Sequence, residues 1–245
     1  MKQISKIIVL NCWKRQNEGK IVKKLIEQAI AGMGIDVEIS YDNGSLGVWK
    51  NYIQALRIPS AEPERFRLII HDDLVITRQS FEKMLHILQF VPDDSYASFY
   101  DPDNSGYREA KDKGHRVLKT HTNFWTQAFC FPANRSEEFI KWSEENIDPK
   151  LRWEDRRIQH FSSTYNYPIY AFMPSMFQHL GAYRSTMGFA GKIGKSCKRY
   201  SAMFDPEADV KSVDWKTEIL TAYKNEMHLH EEEIHKNTIA PEDIK

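Results

Sequence analysis

The stretch RLIIHDDLVITRQSFEKM runs from apolar Leu68-Ile69-Ile70 straight into His71-Asp72-Asp73 and returns at once to Leu74-Val75-Ile76. Asp pairs often mark turns, because the short side chain bonds nearby backbone groups. Three apolar residues on each side instead place these carboxylates close to the core. Unpaired charge there is costly and is relieved by a partner or a metal ion. Two further stretches carry residue types fit for chemistry. Glu154-Asp155, in LRWEDRRIQHF, reads either as a solvated helix start paired with Arg156 and Arg157 or as a functional pair of carboxylates. His179, in PSMFQHLGAYRSTMG, reads either as a hydrogen-bonded structural histidine or as a ligand.

What must position these groups is a repeating strand–helix pattern. Ile7-Ile8-Val9-Leu10 is a short apolar, β-branched run, as in a buried first strand, and Asn11 to Arg15 form a polar loop after it. Ile21, Val22, Leu25, Ile26, Ala29 and Ile30 then recur at helical spacing until Gly32 and Gly34. Val37 to Tyr41 alternate like a second strand ending at Asp42-Asn43-Gly44. A helix is predicted over residues 47–57, with Trp49, Ile53 and Leu56 on one face. Leu68 to Ile70 form a third strand, and Ser80 is expected to cap a helix carrying Phe81, Met84, Leu85 and Leu88. Alternating strands and helices are the doubly wound pattern. Ligands of such sheets collect at the carboxyl ends of the strands. Asn11–Arg15, Asp42–Asn43 and His71–Asp73 are therefore expected to face one crevice.

Further along, residues 101–123 are polar and read as a mobile excursion or small hairpin. Phe129-Cys130-Phe131 reads as a short strand. A helix opens at Ser136, with Glu137 and Glu138 in its first turn, and runs to Asn146. Trp153 to Tyr165 are predicted helical and Ile169 to Phe172 a late strand. Residues 186–200 are rich in Gly and Lys, and the tail from Val213 to Lys236 reads as a largely polar helix.

In order and spacing, His71-Asp72-Asp73, Trp153-Glu154-Asp155 and His179 resemble the GT-A glycosyltransferases. That Rossmann-like class has a D-x-D at the end of a central strand, a later x-E-D carrying the base, and a C-terminal metal-binding His. PSMFQHLGAYRSTMGFAGK is also similar to a segment of N-acetylglucosaminyltransferase IV-type enzymes, where a P-S-L-F-Q-H-x-G core is followed by serines and G-K. The resemblance implies an α/β, GT-A mixed sheet flanked by helices over residues 1–200, and the polar tail reads as a C-terminal helical extension over 201–245. It implies metal-dependent transfer of a sugar from a nucleotide sugar, a UDP-sugar, to a hydroxyl acceptor, with inversion.

The resemblance also implies roles. Asp73 and His179 would hold Mn²⁺ or Mg²⁺. His71 replaces the first acid of the motif and would bind the metal, contact the donor or pack. Asp72 would face the ribose or the helix side. Asp155 would be the general base, a role worth about 10²–10⁴-fold, and Glu154 would orient the acceptor. One carboxylate, one imidazole, phosphate oxygens and waters suit such a cation, which offsets charge on a departing diphosphate. On the donor side, Asn11 and Arg15 would line the nucleotide pocket. Asp42, assisted by Asn43, would accept the uracil imide N–H, and backbone N–H groups near Gly47 would take a phosphate. Arg184, Lys192 and Lys195 would clamp the diphosphate or form a solvated basic loop. Trp125 and Gln127 fall where this fold contacts acceptor and donor sugar. Trp125 would stack on a pyranose or belong to the core, and Trp153 would lie on the acceptor side.

Composition bounds these readings. A chain of 245 residues with 41% hydrophobic content suits one globular α/β domain. Lys+Arg and Asp+Glu are equal at 34 each, so no bulk basic footprint announces nucleic acid. Lys192, Lys195, Lys198 and Arg199, beside Tyr200, leave room for a modified nucleic acid as acceptor, alongside glycan, lipid-linked sugar or protein. Cys12, Cys130 and Cys197 are widely spaced, which excludes a disulfide framework or zinc motif and fits a reducing cytoplasm. MKQISKIIVLNCW is expected to be neither signal peptide nor membrane span. A nucleotidyltransferase would also need paired carboxylates and a metal. It wants a Gly-rich loop after the first strand, where only Gly19 stands. A non-catalytic nucleotide-sugar or glycan binding module of the same fold is the other alternative, motivated by His71 in place of an acid.

Overall fold

The fold is that of a computed structural model, which describes residues 3–101, 105–122, 124–179, 201 and 204–225. Strand β1 (Lys6–Asn11) is buried at every residue, as its apolar run requires of a strand covered on both faces. Helix α1 (Gln16–Ala29) buries Val22 and Ile26 and leaves Ile21 and Leu25 exposed. It leads to β2 (Asp36–Tyr41), and α2 (Gly47–Arg57) returns the chain to β3 (Phe66–His71). Next come β4 (Leu74–Val75), α3 (Arg78–Leu88), β5 (Tyr96–Ser98), α4 (Ser105–Asp112), β6 (Val117–Thr120) and β7 (Ala128–Pro132). The series ends with α5 (Ser136–Asn146), α6 (Glu154–Tyr165), β8 (Ile169–Phe172), β9 (Gln178–His179), α7 (Trp215–Leu220) and β10 (Tyr223–Asn225).

Eight strands form one mixed sheet in the order β10-β6-β8-β5-β7-β3-β1-β2, and β4 pairs with β9 in a separate two-stranded sheet. β2, β1 and β3 are parallel, β7 runs antiparallel between β3 and β5, and β5 is parallel to β8. The carboxyl ends of β1, β2, β3 and β5 and the amino end of β7 therefore share one edge of the sheet.

The strand period of two divides the core. Ile7 and Val9 of β1 join Leu68 and Ile70 of β3 under α1 and α3, whereas Ile8, Leu10 and Ile69 pack under α2, α5 and α6. The result is a large mixed sheet flanked by helices, the Rossmann-like arrangement expected from the strand–helix alternation. No helix among the described residues is long and apolar enough to cross a membrane.

Three expectations need correction. Thr77, not Ser80, caps α3, its hydroxyl accepting the Ser80 amide at 3.1 Å, so the helix starts earlier. Within 101–123 the chain forms α4 and then β6, which pairs antiparallel with β8 in the main sheet rather than with a hairpin partner. Tyr107, Ala110, Val117 and Leu118 are buried there, four apolar positions hidden among many charged ones. Of the helix expected from Val213 to Lys236, the described part holds six helical residues and then β10, which pairs with β6 at the sheet edge, and residues 226–236 lie outside the described residues. Trp215 is 0% exposed, packs edge-on to Phe172 at 5.9 Å and donates its indole N–H to the Val210 carbonyl at 2.7 Å.

This packing makes residues 204–225 part of the cooperative unit. Trp215→Ala is expected to cost about 3–5 kcal/mol of unfolding free energy in urea denaturation. A loss below about 1 kcal/mol, the level of a surface site, would show that the segment is not held by the core.

Candidate active site

Asp72 and Asp73 form the turn between β3 and β4. Asp72 is 0% exposed. Its Oδ2 accepts from Asn11 Nδ2 at 2.6 Å and from the Cys12 amide at 2.8 Å, and its Oδ1 lies 2.6 Å from Arg15 Nη2. The other arm of the same guanidinium, Nη1, reaches Asp73 Oδ2 at 2.9 Å. A single turn of 3-10 helix, Trp13–Arg15, brings Arg15 back over the strand ends. Asn11 steadies that turn by donating its second amide hydrogen to the Arg15 carbonyl at 2.8 Å. The Asn11 carbonyl accepts from Asn51 Nδ2 at 3.0 Å and from the Asp42 amide at 3.2 Å, which ties in β2 and α2. α1 passes so close to Asn11 that a Cβ on Gly19 would overlap the Asn11 amide.

His179 arrives from far along the chain. β9 pairs antiparallel with β4 in the register Leu74↔His179, and the imidazole Nε2 sits 3.2 Å from Asp73 Oδ2. The preceding residues fix that approach. Ser175, fully buried, donates to the Phe177 carbonyl at 2.7 Å and accepts the Asp101 amide at 3.3 Å. Phe177 packs edge-on against Phe81 of α3 at 5.6 Å. The Gln178 amide grips both backbone polar groups of Ser201, at 2.8 and 2.9 Å.

Glu154 opens α6 and is buried. Its Oε1 accepts from Thr126 Oγ1 at 2.9 Å and lies 3.8 Å from His71 Nε2. Asp155 follows it, half-buried, with Oδ1 accepting the Arg156 amide at 2.7 Å. The connection before α6 is held by Arg157. Its guanidinium donates to the Leu151 carbonyl at 2.8 Å and the Asp148 carbonyl at 3.0 Å, and lies over the Trp49 ring at 4.5 Å. Burial pushes that guanidinium down to about 10.

The structure thus brings Asn11, Arg15, His71, Asp72, Asp73, Glu154 and His179 together. Asn11 is wholly buried and serves Asp72 rather than an open pocket. Asp42 is buried, and its Oδ1 accepts the Gly44 and Leu46 amides at 2.8 and 3.3 Å, so it shapes the loop into α2. Asn43 is exposed and accepts from Ser45, while Gly47 starts α2. Trp125 is half-buried and packs on the core under α1 and α3, its carbonyl accepting from Ser98. Trp153 is half-buried immediately before α6. Gln127 is buried, its carbonyl accepting the His71 amide at 2.9 Å. Arg184, Lys192 and Lys195 lie outside the described residues, as do Lys198, Arg199 and Tyr200. Gly19, Asn51, Thr126 and Arg157 were not singled out by the sequence. Gly19 reads in the sequence only as the single glycine of the loop after the first strand, whereas it lies inside α1.

The two carboxylates titrate apart. Burial pushes Asp72 up to about 6, with Arg15 opposing the rise. For Asp73 burial acts in the same direction, but the hydrogen bond and charge of His179, then Arg15 and His71, outweigh it and hold the group well below the usual carboxylate range. Among the described residues no three His, Cys, Asp or Glu side chains form a metal cage. Asp73 and His179 do converge, and Asp73 Oδ1 is buried with no hydrogen-bond partner among the described residues. One imidazole and one carboxylate with an uncommitted oxygen would supply two protein ligands to a divalent cation, which would leave its other positions to ligand oxygens or water. His71 Nε2 is directed at Glu154. No protein-family model matches the chain, and no curated protein is significantly similar to it in sequence.

Two outcomes follow from this network. Gly19→Ala should destabilise the protein although Ala is the better helix former by about 1 kcal/mol, because the new methyl group displaces Asn11 from Asp72. A more stable variant in chemical denaturation would refute the close approach. Asp72, raised from 3.8 to about 6, binds its proton more tightly folded than unfolded. Its contribution is therefore fully present below pH 3.8 and is lost as pH rises towards 6, about 3 kcal/mol over those two units. In EDTA, Asp72→Asn should flatten that fall, and equal slopes of stability against pH for the two proteins would refute it.

Proposed function

We propose that the chain is a metal-dependent glycosyltransferase that moves a sugar from a nucleotide sugar, a UDP-sugar, to a hydroxyl acceptor with inversion at the anomeric carbon. The observation that carries this reading is convergence. Asp73 after β3 meets His179 on β9, and His71 at the same strand end lies 3.8 Å from Glu154 in the first turn of α6, at the carboxyl edge of the sheet where open α/β sheets bind ligands.

In this reading Asp73 and His179 hold Mn²⁺ or Mg²⁺, which when bound offsets the charge that builds on the leaving diphosphate. Arg15 adds positive charge on the same side. The nucleoside lies along the ends of β1 and β2, flanked by Asp42, Asn43 and the amino end of α2 at Gly47. Glu154, whose Oε1 accepts from Thr126, orients the acceptor, whereas Asp155, half-buried on the same helical turn, takes the proton of the acceptor hydroxyl. Both sit in the first turn of α6, where the helix dipole favours the ionised carboxylate. A base opposite the leaving group makes the displacement inverting. Trp153, next to Glu154, flanks the acceptor.

A thermal-shift panel of nucleotide sugars with Mn²⁺ tests the donor class, because stabilisation follows occupancy, reaching about 2.7 kcal/mol at 100 times Kd. UDP-sugars should raise Tm and GDP- or CMP-sugars should not. Slow Mn²⁺-dependent release of UDP without acceptor separates an enzyme from a binding module. Asp155→Asn should lower the transfer rate by about 10²–10⁴-fold while nucleotide-sugar affinity stays within about twofold, since the base acts only in the chemical step. Loss in Glu154→Gln alone would exchange the two roles, and normal turnover in both would sink the mechanism.

A further inference from the structure

We propose that Arg15 is the resident counter-cation of the acidic pair and competes with a divalent cation for Asp73, so that metal enters only when the guanidinium gives up one of its two carboxylates. This rests on the reading above that Asp73 and His179 form a metal site.

The geometry that points to it is the way Arg15 divides itself. It does not chelate one carboxylate. Nη2 goes to Asp72 Oδ1 at 2.6 Å and Nη1 to Asp73 Oδ2 at 2.9 Å, with the side chain only 12% exposed. His179 Nε2 approaches the same Asp73 oxygen at 3.2 Å, while Oδ1 of that carboxylate is buried and has no hydrogen-bond partner among the described residues. One face of Asp73 is thus held by two donors and the other is uncommitted. The two acids carry two negative charges and Arg15 returns one. A dication bound beside an unmoved guanidinium would set like charges a few ångströms apart in a poorly solvated place, where repulsion is strong. Asp72 gives Arg15 somewhere to stay, since that carboxylate is fixed independently by Asn11 and Cys12. The arm released from Asp73 is then free to meet an anionic diphosphate. Metal and nucleotide therefore help each other bind, because the nucleotide supplies the partner that Arg15 loses to the metal.

The test is calorimetric titration of MnCl₂ into the full chain at pH 7.5, with and without saturating UDP, for wild type, Arg15→Gln and Arg15→Lys. If Arg15 occupies Asp73 nine-tenths of the time, apparent metal affinity is weakened by that competent fraction. Arg15→Gln should then bind Mn²⁺ alone about tenfold more tightly than wild type. Arg15→Lys, whose single ammonium cannot span both carboxylates, should fall between them. UDP should tighten Mn²⁺ binding in wild type and do so less in Arg15→Gln. Equal or weaker Mn²⁺ binding by a folded Arg15→Gln overturns the inference. Where circular dichroism shows that variant unfolded, Arg15→Lys decides, and affinity equal to wild type overturns it. Identical Mn²⁺ binding in all three proteins sinks this inference alone, whereas no Mn²⁺ binding by any of them, with or without UDP, sinks the metal site of the proposed function as well.

Discussion

A carboxylate with no exposed surface, Asp72, sets the terms for the rest of the site. Taking an ion out of water costs several kcal/mol unless geometry and hydrogen bonds compensate it. Here the compensation comes from the Asn11 amide, the Cys12 backbone N–H and the Arg15 guanidinium. All three belong to the six residues after Leu10, so burying one acid on β3 dictates how the chain leaves β1. The demand then spreads outward. Asn11 can serve Asp72 only if α1 comes close without a side chain at Gly19, and Asn11 is itself held by Asn51 of α2. The ends of β1, β2 and β3 thus share a single polar network, and Asp73 inherits its position from it.

A second constraint is a register. β4 and β9 pair over only two residues each, yet their pairing decides whether His179 faces Asp73. Side chains alternate across a strand, so a slip of one residue would turn the imidazole to the opposite face. So short a ladder cannot fix its own register. Ser175 accepting the Asp101 amide beyond β5, Phe177 against Phe81, and the two-point grip of Gln178 on Ser201 fix it from outside. Residues 175–178 therefore read as the scaffold of residue 179. That is a physical reason for Ser, Phe and Gln at those spacings, independent of any resemblance.

Legibility in the sequence followed the locality of each cause. β1 and β8 stand out as unbroken apolar runs. The limits of α2 and α5 match their periodic stretches, Gly47–Arg57 and Ser136–Asn146. The cap of α3 was missed because Thr77 and Ser80 are both plausible hydroxyl caps and only the backbone conformation separates them. Four buried positions among charged neighbours were too few to betray α4 and β6, and a three-residue edge strand such as β10 has no periodicity to show. Within the site, the apolar flanks of His71-Asp72-Asp73 announced a buried charge. That Thr126 would stand beside Glu154 was invisible, because it depends on β7 running antiparallel to β3 in the register Ile70↔Ala128. Strand direction inside a mixed sheet leaves no mark on a single sequence.

The charges of the site are ordered as well as gathered. Glu154 faces His71, whose charge is felt by Asp73. His179 and Arg15 share Asp73 Oδ2, and Arg15 passes on to Asp72. Acid and base alternate along this line, so each carboxylate has a donor beside it, although burial still outweighs the partners of Asp72 and pushes it up to about 6. Asn11 and the Cys12 amide hold Asp72 whichever carboxylate Arg15 serves, so that end of the line is fixed in advance. The line also has two different ends. Asp72 is sealed inside, while Glu154 leads to the half-buried first turn of α6. Between these ends His179 and Arg15 both reach Asp73 Oδ2, so the donors of the site are concentrated at its middle. Under the proposed glycosyl transfer, an anionic leaving group would belong at the donor-rich middle of this line and the acceptor hydroxyl at its outer end.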